Sequence, residues 1–314
     1  MYAIKERKML QKINILVLMA TYNGSKYISE QIDSVLMQEG VNIKLLISDD
    51  NSTDDTIIII NKYLRDSRVS LVENKKRSGS AAKNFLHLVK IVENPENYDF
   101  FAFCDQDDIW LSNKLLQATQ CLKNNNADLY LSNLIKWDQK SGKKDIIKKN
   151  FSQKKYDFLF EGGSAGCTYV FTNSFYNKSK IAVSKLKLTE WKNFSHDWYF
   201  YFFARTNDFK VFIDKNAYIL YRIHDTNVHG QLNSFSYDAI KQRLKMVREG
   251  WYFDQIEGFK NLLDENSKSR KIYKLYSQNL LTRIYVLLYY NLNLMRSTNK
   301  FFMFFAVSLL TKKK

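Results

Sequence analysis

The sequence predicts an α/β fold, a mostly parallel central sheet flanked by helices, followed by a helical C-terminal extension. Three observations carry this. Apolar runs of strand length recur without polar alternation, the pattern of strands buried on both faces. Segments with helical spacing separate them, as crossovers between parallel strands require. From Tyr237 onward strand-like runs stop and helical patterning takes over.

The elements follow in order. Ile13–Met19 is a continuous apolar run, read as the first strand. Over Tyr27–Gln38, Ile28, Ile32, Val35 and Leu36 fall on one helical stripe. Lys44–Ser48 is the second strand. Thr56–Leu64 is an isoleucine-rich helix, with Ser52 as its candidate cap and acids in its first turn. Val69–Val72 is a third, short strand. Over Ala81–Val92, Phe85, Leu88, Val89 and Val92 align as a helix face. Phe100–Cys104 is the fourth strand, Leu111–Lys123 a helix, and Asp128–Ser132 closes the series. Lys136–Lys155 is basic and turn-rich and reads as a loop. Phe194–Ala204 reads as an aromatic helix and Val211–Tyr221 as one or two short strands. The chain divides into an N-terminal extension (1–11), a main domain (12–230) and a helical basic region (231–314).

The 314 residues are enough for a sizeable core, and 45% are apolar, which excludes a disordered chain. Three irregularly spaced cysteines, Cys104, Cys121 and Cys167, suit neither a disulfide framework nor a structural zinc site. They fit a reducing compartment. No apolar run has signal-peptide or membrane-span length, so the expected location is the cytosol or the inner face of the cell membrane. The formal charge is +16, and all ten charged side chains after Glu265 are Lys or Arg. Such a tail can be a solvated face, bind nucleic acid, or meet anionic lipid; composition does not choose among them. Phe301–Leu310 is too short to span and precedes three lysines, as in an interfacial helix. Packing onto the main domain and homodimerisation are the other readings. No nucleic-acid-binding module appears, and that partner is not expected.

Open parallel sheets place their ligands at the carboxyl ends of the strands. Here strand one ends at Ala20-Thr21-Tyr22-Asn23-Gly24, strand two at Asp49-Asp50-Asn51, and strand four at Asp105-Gln106-Asp107-Asp108. Converging acids repel one another unless a cation sits among them. Alternate residues of an extended segment point the same way, so Asp105 and Asp107 can face one cavity and offer oxygens to a hard divalent ion. The alternative is solvated loop acids. Asp49 and Asp50 stand at a strand end, where a carboxylate can accept from a nucleobase or ribose. Arg222 can offer charge to phosphate. His224, after a short apolar strand, is a candidate imidazole ligand. Gly162, Gly163 and Gly166 permit close backbone approach to an acceptor or diphosphate, or else form a turn. Phe194, Trp198, Tyr199 and Phe200 surround Asp197 and are expected to keep it partly dry, raising its proton affinity; Trp198 is also a candidate acceptor contact.

These segments, with His196-Asp197-Trp198 and Tyr221-Arg222-Ile223-His224-Asp225-Thr226-Asn227, occur in an order that resembles the inverting family two glycosyltransferases of GT-A fold. The subgroup they are most similar to is the bacterial rhamnosyltransferases of cell-surface polysaccharides. The resemblance covers roughly residues 12–230. It implies that Thr21, Tyr22 and Asn23 line the nucleotide pocket, with Asp50 and neighbouring Asp49 on base or ribose. It implies that Asp105 contacts the donor and, with Asp107 and His224, holds manganese or magnesium. Asp197 would be the catalytic base. Lys83, beside Asn84, stands where the family commonly has a donor-binding arginine. The implied substrates are a nucleotide-sugar donor, with dTDP-rhamnose the choice the subgroup resemblance points to, and a glycan or lipid-linked acceptor. A UDP-sugar glucosyl- or galactosyltransferase and a nucleotidyltransferase are the alternatives. The latter would usually carry a glycine-rich basic loop after strand one, and here that loop holds only Gly24 and Lys26.

Overall fold

A computed structural model describes residues 12–188, 191, 193–223 and 250–311. Nine strands form one mixed sheet: β1 (Asn14–Thr21), β2 (Asn42–Asp49), β3 (Val69–Glu73), β4 (Phe100–Cys104), β5 (Ile109–Trp110), β6 (Leu129–Trp137), β7 (Lys144–Ile147), β8 (Val170–Thr172) and β9 (Val211–Arg222). Their order is β3-β2-β1-β4-β8-β6-β9-β5, with β7 paired to β6. The β3-β2-β1-β4 half is parallel as the sequence predicts. Antiparallel β8 turns the sheet from parallel to mixed.

Alternation along β1 explains how both faces are covered. Ile15, Val17 and Met19 join a cluster with helices α1 (Ile28–Leu36), α2 (Thr56–Tyr63) and α4 (Lys114–Asn125). Leu16, Leu18 and Ala20 point the other way, onto α3 (Ala81–Ile91) and α6 (His196–Thr206); α5 (Asn173–Ser184) packs on the same side. A strand apolar on both faces cannot be left half-exposed without cost.

The C-terminal helices are α7 (Trp251–Lys260), α8 (Lys268–Gln278), α9 (Leu280–Tyr290) and α10 (Thr298–Leu310). They share the second cluster through Phe253, Phe259, Tyr273, Tyr276, Leu287 and Phe304. The Tyr273 hydroxyl donates to the Leu159 carbonyl at 2.6 Å. One face of this region is therefore core packing. Its other face is apolar and exposed, at Leu281 (79%), Leu288, Tyr289, Phe302 and Leu310.

Three expectations change. The 136–155 segment is not all loop: Ile146 and Ile147 pair with Ile135 and Leu134 in a β6–β7 hairpin. Its turn uses Gly142 at φ +70° and the Asp138 carboxylate, which accepts from Ser141 Oγ at 2.8 Å. The 211–221 segment is a single long strand, β9, held along β6. Ser52 does not cap α2; Asp54 accepts from the Thr56 amide at 3.0 Å instead.

Candidate active site

Register brings the polar strand ends together. Thr21 lies opposite Asp49, and Cys104 opposite Met19, so the acid turn after β4 begins beside the end of β1. Thr21 Oγ1 donates to Asp49 Oδ2 at 2.8 Å. Ser52 donates to the same carboxylate through its amide (2.7 Å) and hydroxyl (2.6 Å) and accepts from the Asn23 amide at 2.8 Å. Asp49 is fully buried, so it shapes this turn rather than meeting a ligand.

Asp50 is buried too. It accepts from Ser78 N (2.5 Å), Ser78 Oγ (2.8 Å), Gly79 N (3.2 Å) and Asn74 Nδ2 (3.2 Å). It thereby anchors the loop after β3. Arg77 of that loop lies over the Tyr22 ring at 3.8 Å, a cation–π contact the sequence reading missed. Asn84 ties α3 to β2, donating to the Ser48 carbonyl at 2.8 Å. Tyr22, Asn23 and Lys83 keep exposed surface at this edge. Gln106 was also missed. Its side chain accepts from Tyr22 N at 2.9 Å and donates to Tyr22 O at 3.0 Å.

The acids form a second layer. Asp105, Asp108 and Cys167 offer ligand atoms within 4.8 Å of one another. Burial, then the Asp107 and Asp197 charges, push the Asp105 carboxyl up to about 7. Asp108 is fully buried, its Oδ2 has no hydrogen-bond partner, and its proton affinity is raised strongly by burial and by Asp107 and Asp105. Crowded carboxylates with an orphaned oxygen fit a divalent cation. Burial drives the Cys167 thiol well up, so it stays protonated and leaves the carboxylates as donors for a hard ion. His224, expected to complete the shell, lies outside the described residues.

Arg222 does not serve as a phosphate contact. Its guanidinium is fully buried, donating to Asp107 O at 2.9 Å and pairing with Glu30 at 2.5 Å. Its amide donates to Asp108 Oδ1 at 3.2 Å, so Arg222 fastens the end of β9 to the acid turn.

Asp197 opens α6 and remains partly exposed. Its side chain accepts from Ser195 Oγ, the residue that caps the helix, and from the Trp198 amide at 2.7 Å. Its carbonyl accepts from Tyr169 OH at 2.9 Å. Asp197 lies within electrostatic reach of Asp105, whose proton affinity it helps to raise. Phe194, Trp198, Tyr199 and Phe200 turn into the core. Trp198 is therefore not an acceptor contact: it is buried and donates to the Phe158 carbonyl at 2.8 Å. Gly163 is not one either, because it is packed so that a Cβ would stand 2.8 Å from Tyr201 and 3.0 Å from Leu131. Gly166 lets His196 approach, since a Cβ there would lie 2.3 Å from Nε2.

A groove of about 920 Å³ beside β3 and α3, lined by Val72, Asn74, Ser78 and His87, contains none of Asp105, Asp107 or Asp197. The strand-end acids and not this groove define the site, because ligand chemistry needs the charged groups.

Comparisons with known proteins agree with this fold. The profile described as "Glycosyl transferase family 2" matches residues 16–183. The chain is 38% identical over 251 residues to the "dTDP-rhamnosyl transferase RfbG" of Shigella flexneri, covering 79% of this chain and 86% of that protein. It is 37% identical over 115 residues to the "UDP-Glc:alpha-D-GlcNAc-diphosphoundecaprenol beta-1,3-glucosyltransferase WfgD" of Escherichia coli, covering 36% and 43% of the two chains. Among solved structures, S. aureus TarS 1–349 in complex with UDP matches with a TM-score of 0.56 at 16% identity, over 95% of this chain and 88% of that one. A mannosyltransferase from Pyrobaculum calidifontis in complex with GDP-Man and Mn²⁺ matches with a TM-score of 0.55 at 13% identity, over 96% and 82%.

Proposed function

The chain belongs to glycosyl transferase family 2, with the GT-A architecture, and we propose that it moves rhamnose from dTDP-rhamnose to a hydroxyl of a lipid-linked glycan acceptor, with inversion. The enzyme class is glycosyltransferase. The observation that carries the proposal is the acid cluster after β4, where Asp105 and Asp108 offer ligand atoms within 4.8 Å of one another, with Asp197 at the start of α6 in electrostatic reach of Asp105. The donor assignment is supported by the 38% identity to the Shigella enzyme across most of both chains.

In this reading Tyr22, Asn23 and Lys83 meet the nucleotide, while Thr21, Asp49 and Asp50 hold the turns that present them. Asp105 and Asp107, with Asp108 beside Asp105 and with His224, would hold manganese or magnesium, whose chemistry is to neutralise charge on the departing nucleoside diphosphate. Asp197 takes the proton of the acceptor hydroxyl as that oxygen attacks the anomeric carbon from the face opposite the leaving group. One base and one metal-binding cluster suit inverting transfer; hydrolases instead flank the bond with two carboxyls. The acceptor class is supported by the WfgD likeness, and by the exposed apolar face of α9 and α10. That face, with the cations of the same region, suits an anionic membrane surface on the cytoplasmic side. Among the described residues no helix is long and apolar enough to cross a membrane.

Incubating the protein with dTDP-rhamnose or UDP-glucose and a GlcNAc-diphosphate-alkyl acceptor, with manganese or EDTA, tests this. Metal-dependent rhamnosylation supports the reading. Glucosylation alone would transfer the assignment to the UDP-sugar alternative.

A further inference from the structure

The C-terminal region reaches the start of α6 through one segment, residues 156–162, by contacts the steps above do not use. Tyr156 N donates to Asn293 O at 3.0 Å, and Tyr273 OH donates to Leu159 O at 2.6 Å. Arg296, in the turn before α10, is buried and holds the far end of the segment. Its guanidinium donates to Gly162 O at 2.7 Å and to Lys149 O at 3.3 Å, and pairs with Glu161 Oε1 at 3.3 Å. Its own amide donates to the same carboxylate oxygen at 2.5 Å. Lys300 reaches the other oxygen of Glu161 at 3.3 Å. Both oxygens of Glu161 are thus engaged, so this group is a fastening between the C-terminal region and the main domain.

The opposite side of the segment rests on α6. A Cβ on Gly162 would stand 3.4 Å from Trp198 Cα and 3.6 Å from Trp198 N, so the Gly162 backbone lies against the first turn of that helix. The same Trp198 amide donates to Asp197 Oδ1 at 2.7 Å. Trp198 Nε1 donates to Phe158 O at 2.8 Å, which ties the segment to the helix a second time. Arg296 also touches α6 directly: its guanidinium carbon lies 5.5 Å from the centre of the Tyr201 ring, one turn beyond Asp197. Gly162 therefore stands between a buried guanidinium and the amide that orients the Asp197 carboxylate. A guanidinium is planar and holds its acceptors in fixed directions, and burial removes the water that would compete for them.

We propose that Arg296 is a positioning residue for Asp197, holding Glu161 and Gly162 against the first turn of α6 so that the carboxylate is aimed at the acceptor hydroxyl. The proposal rests on the reading of Asp197 as the base. It makes the C-terminal region part of the catalytic unit, required for the acceptor step and not for donor binding. The nucleotide contacts Tyr22, Asn23 and Lys83 belong to other turns of the site, whereas the base depends on the 156–162 segment. A small displacement of a reacting group costs far more in rate than in stability.

Single-turnover transfer from dTDP-rhamnose to a GlcNAc-diphosphate-alkyl acceptor, measured beside dTDP affinity and melting temperature on the full-length protein, tests it. Arg296→Met should slow transfer about tenfold or more, as a displaced base would, while dTDP affinity stays within about twofold. Placed in an Asp197→Asn background, the same substitution should cost little more, because the group it positions is already disabled. Removing one partner of a buried ion pair strands the other. Arg296→Lys keeps a charge beside Glu161 and loses the fork to Gly162 and Lys149, so it carries the test should Arg296→Met not fold, with transfer still slowed at native dTDP affinity. Native-rate transfer by a folded Arg296 variant would overturn the proposal. So would dTDP affinity falling in step with transfer, or an equal further loss in the Asp197→Asn background. Native-rate transfer by Asp197→Asn alone would sink instead the reading of Asp197 on which the proposal stands.

Discussion

The carboxamide of Gln106 closes on both polar groups of the Tyr22 backbone, accepting from the amide at 2.9 Å and donating to the carbonyl at 3.0 Å. This pair makes the turn after β1 and the acid turn after β4 one unit. Gly24 is part of the fit, since a Cβ there would stand 2.4 Å from Gln106 Oε1. The residue between the two metal-ligand candidates therefore aligns the nucleotide side of the site with the metal side.

Gln106→Ala should leave the Tyr22 amide and carbonyl without their partner, at a cost of roughly 1–3 kcal/mol. The expected outcome is a lower melting temperature and about tenfold weaker dTDP binding by calorimetry, with Asp105 and Asp107 intact. Unchanged nucleotide affinity would mean that the two turns keep their places independently.

The pH dependence follows from Asp105. Its folded-state proton affinity is raised to about 7 from an ordinary 3.8. Between those values the native state binds more protons than the unfolded chain, so stability falls as pH rises. The metal-free protein should thus melt lower at pH 8 than at pH 5.5, by about 2 °C for each kcal/mol lost. Manganese should raise the melting temperature more at pH 8, where the carboxylate is free of its proton. Scanning calorimetry with and without EDTA checks both signs, and Asp105→Asn should flatten the pH slope.

Asp50 and Arg77 separate architecture from ligand contact. Asp50→Ala removes the acceptor of Ser78, Gly79 and Asn74 donors and should lower both stability and dTDP affinity. Arg77 is exposed on the Tyr22 ring, so Arg77→Ala should weaken nucleotide binding severalfold and leave the melting temperature within about 1 °C, as for surface changes. A stability loss for Arg77→Ala comparable to that of Asp50→Ala would contradict this division.

The parallel half of the fold was legible because β1 and β4 are unbroken apolar runs and α1 and α3 carry clear apolar stripes. The β5 strand was not, since Ile109-Trp110 is too short for a periodic signal and is fixed by long-range pairing with β9. The β6–β7 hairpin was hidden by the lysines that line its solvent side. At the site, residue type and strand-end position pointed to Asp105 and Asp107, because acid clusters stand out in a sequence, whereas Asp197 at a helix start drew its role from the family resemblance. Gln106 and Arg77 did not stand out: a neutral amide and one cation of a basic loop acquire meaning only from what they touch. Arg222, Trp198 and Gly163 were misread for the same reason, since burial, invisible in sequence, turns each into a packing or fastening residue.

The exposed face of α9 and α10 should hold the enzyme at an anionic membrane. Leu281→Glu with Leu288→Glu places charge on that face without touching the buried face at Val286, Leu287 and Phe304. Flotation with phosphatidylglycerol vesicles at low salt should show binding for the native chain and its loss for the double variant, at an unchanged melting temperature. If the native chain stays unbound and is dimeric while the variant is monomeric, the face is a contact between copies of this chain.

Asp197→Asn tests the account most directly, because the shape is kept and only the proton acceptor is lost. Donor affinity and melting temperature should match the native protein, while turnover with acceptor should fall by about a hundredfold or more. Measured under single-turnover conditions with saturating donor and manganese, that split would identify Asp197 as the base. Transfer at the native rate, or a collapse of donor binding in its place, would contradict it.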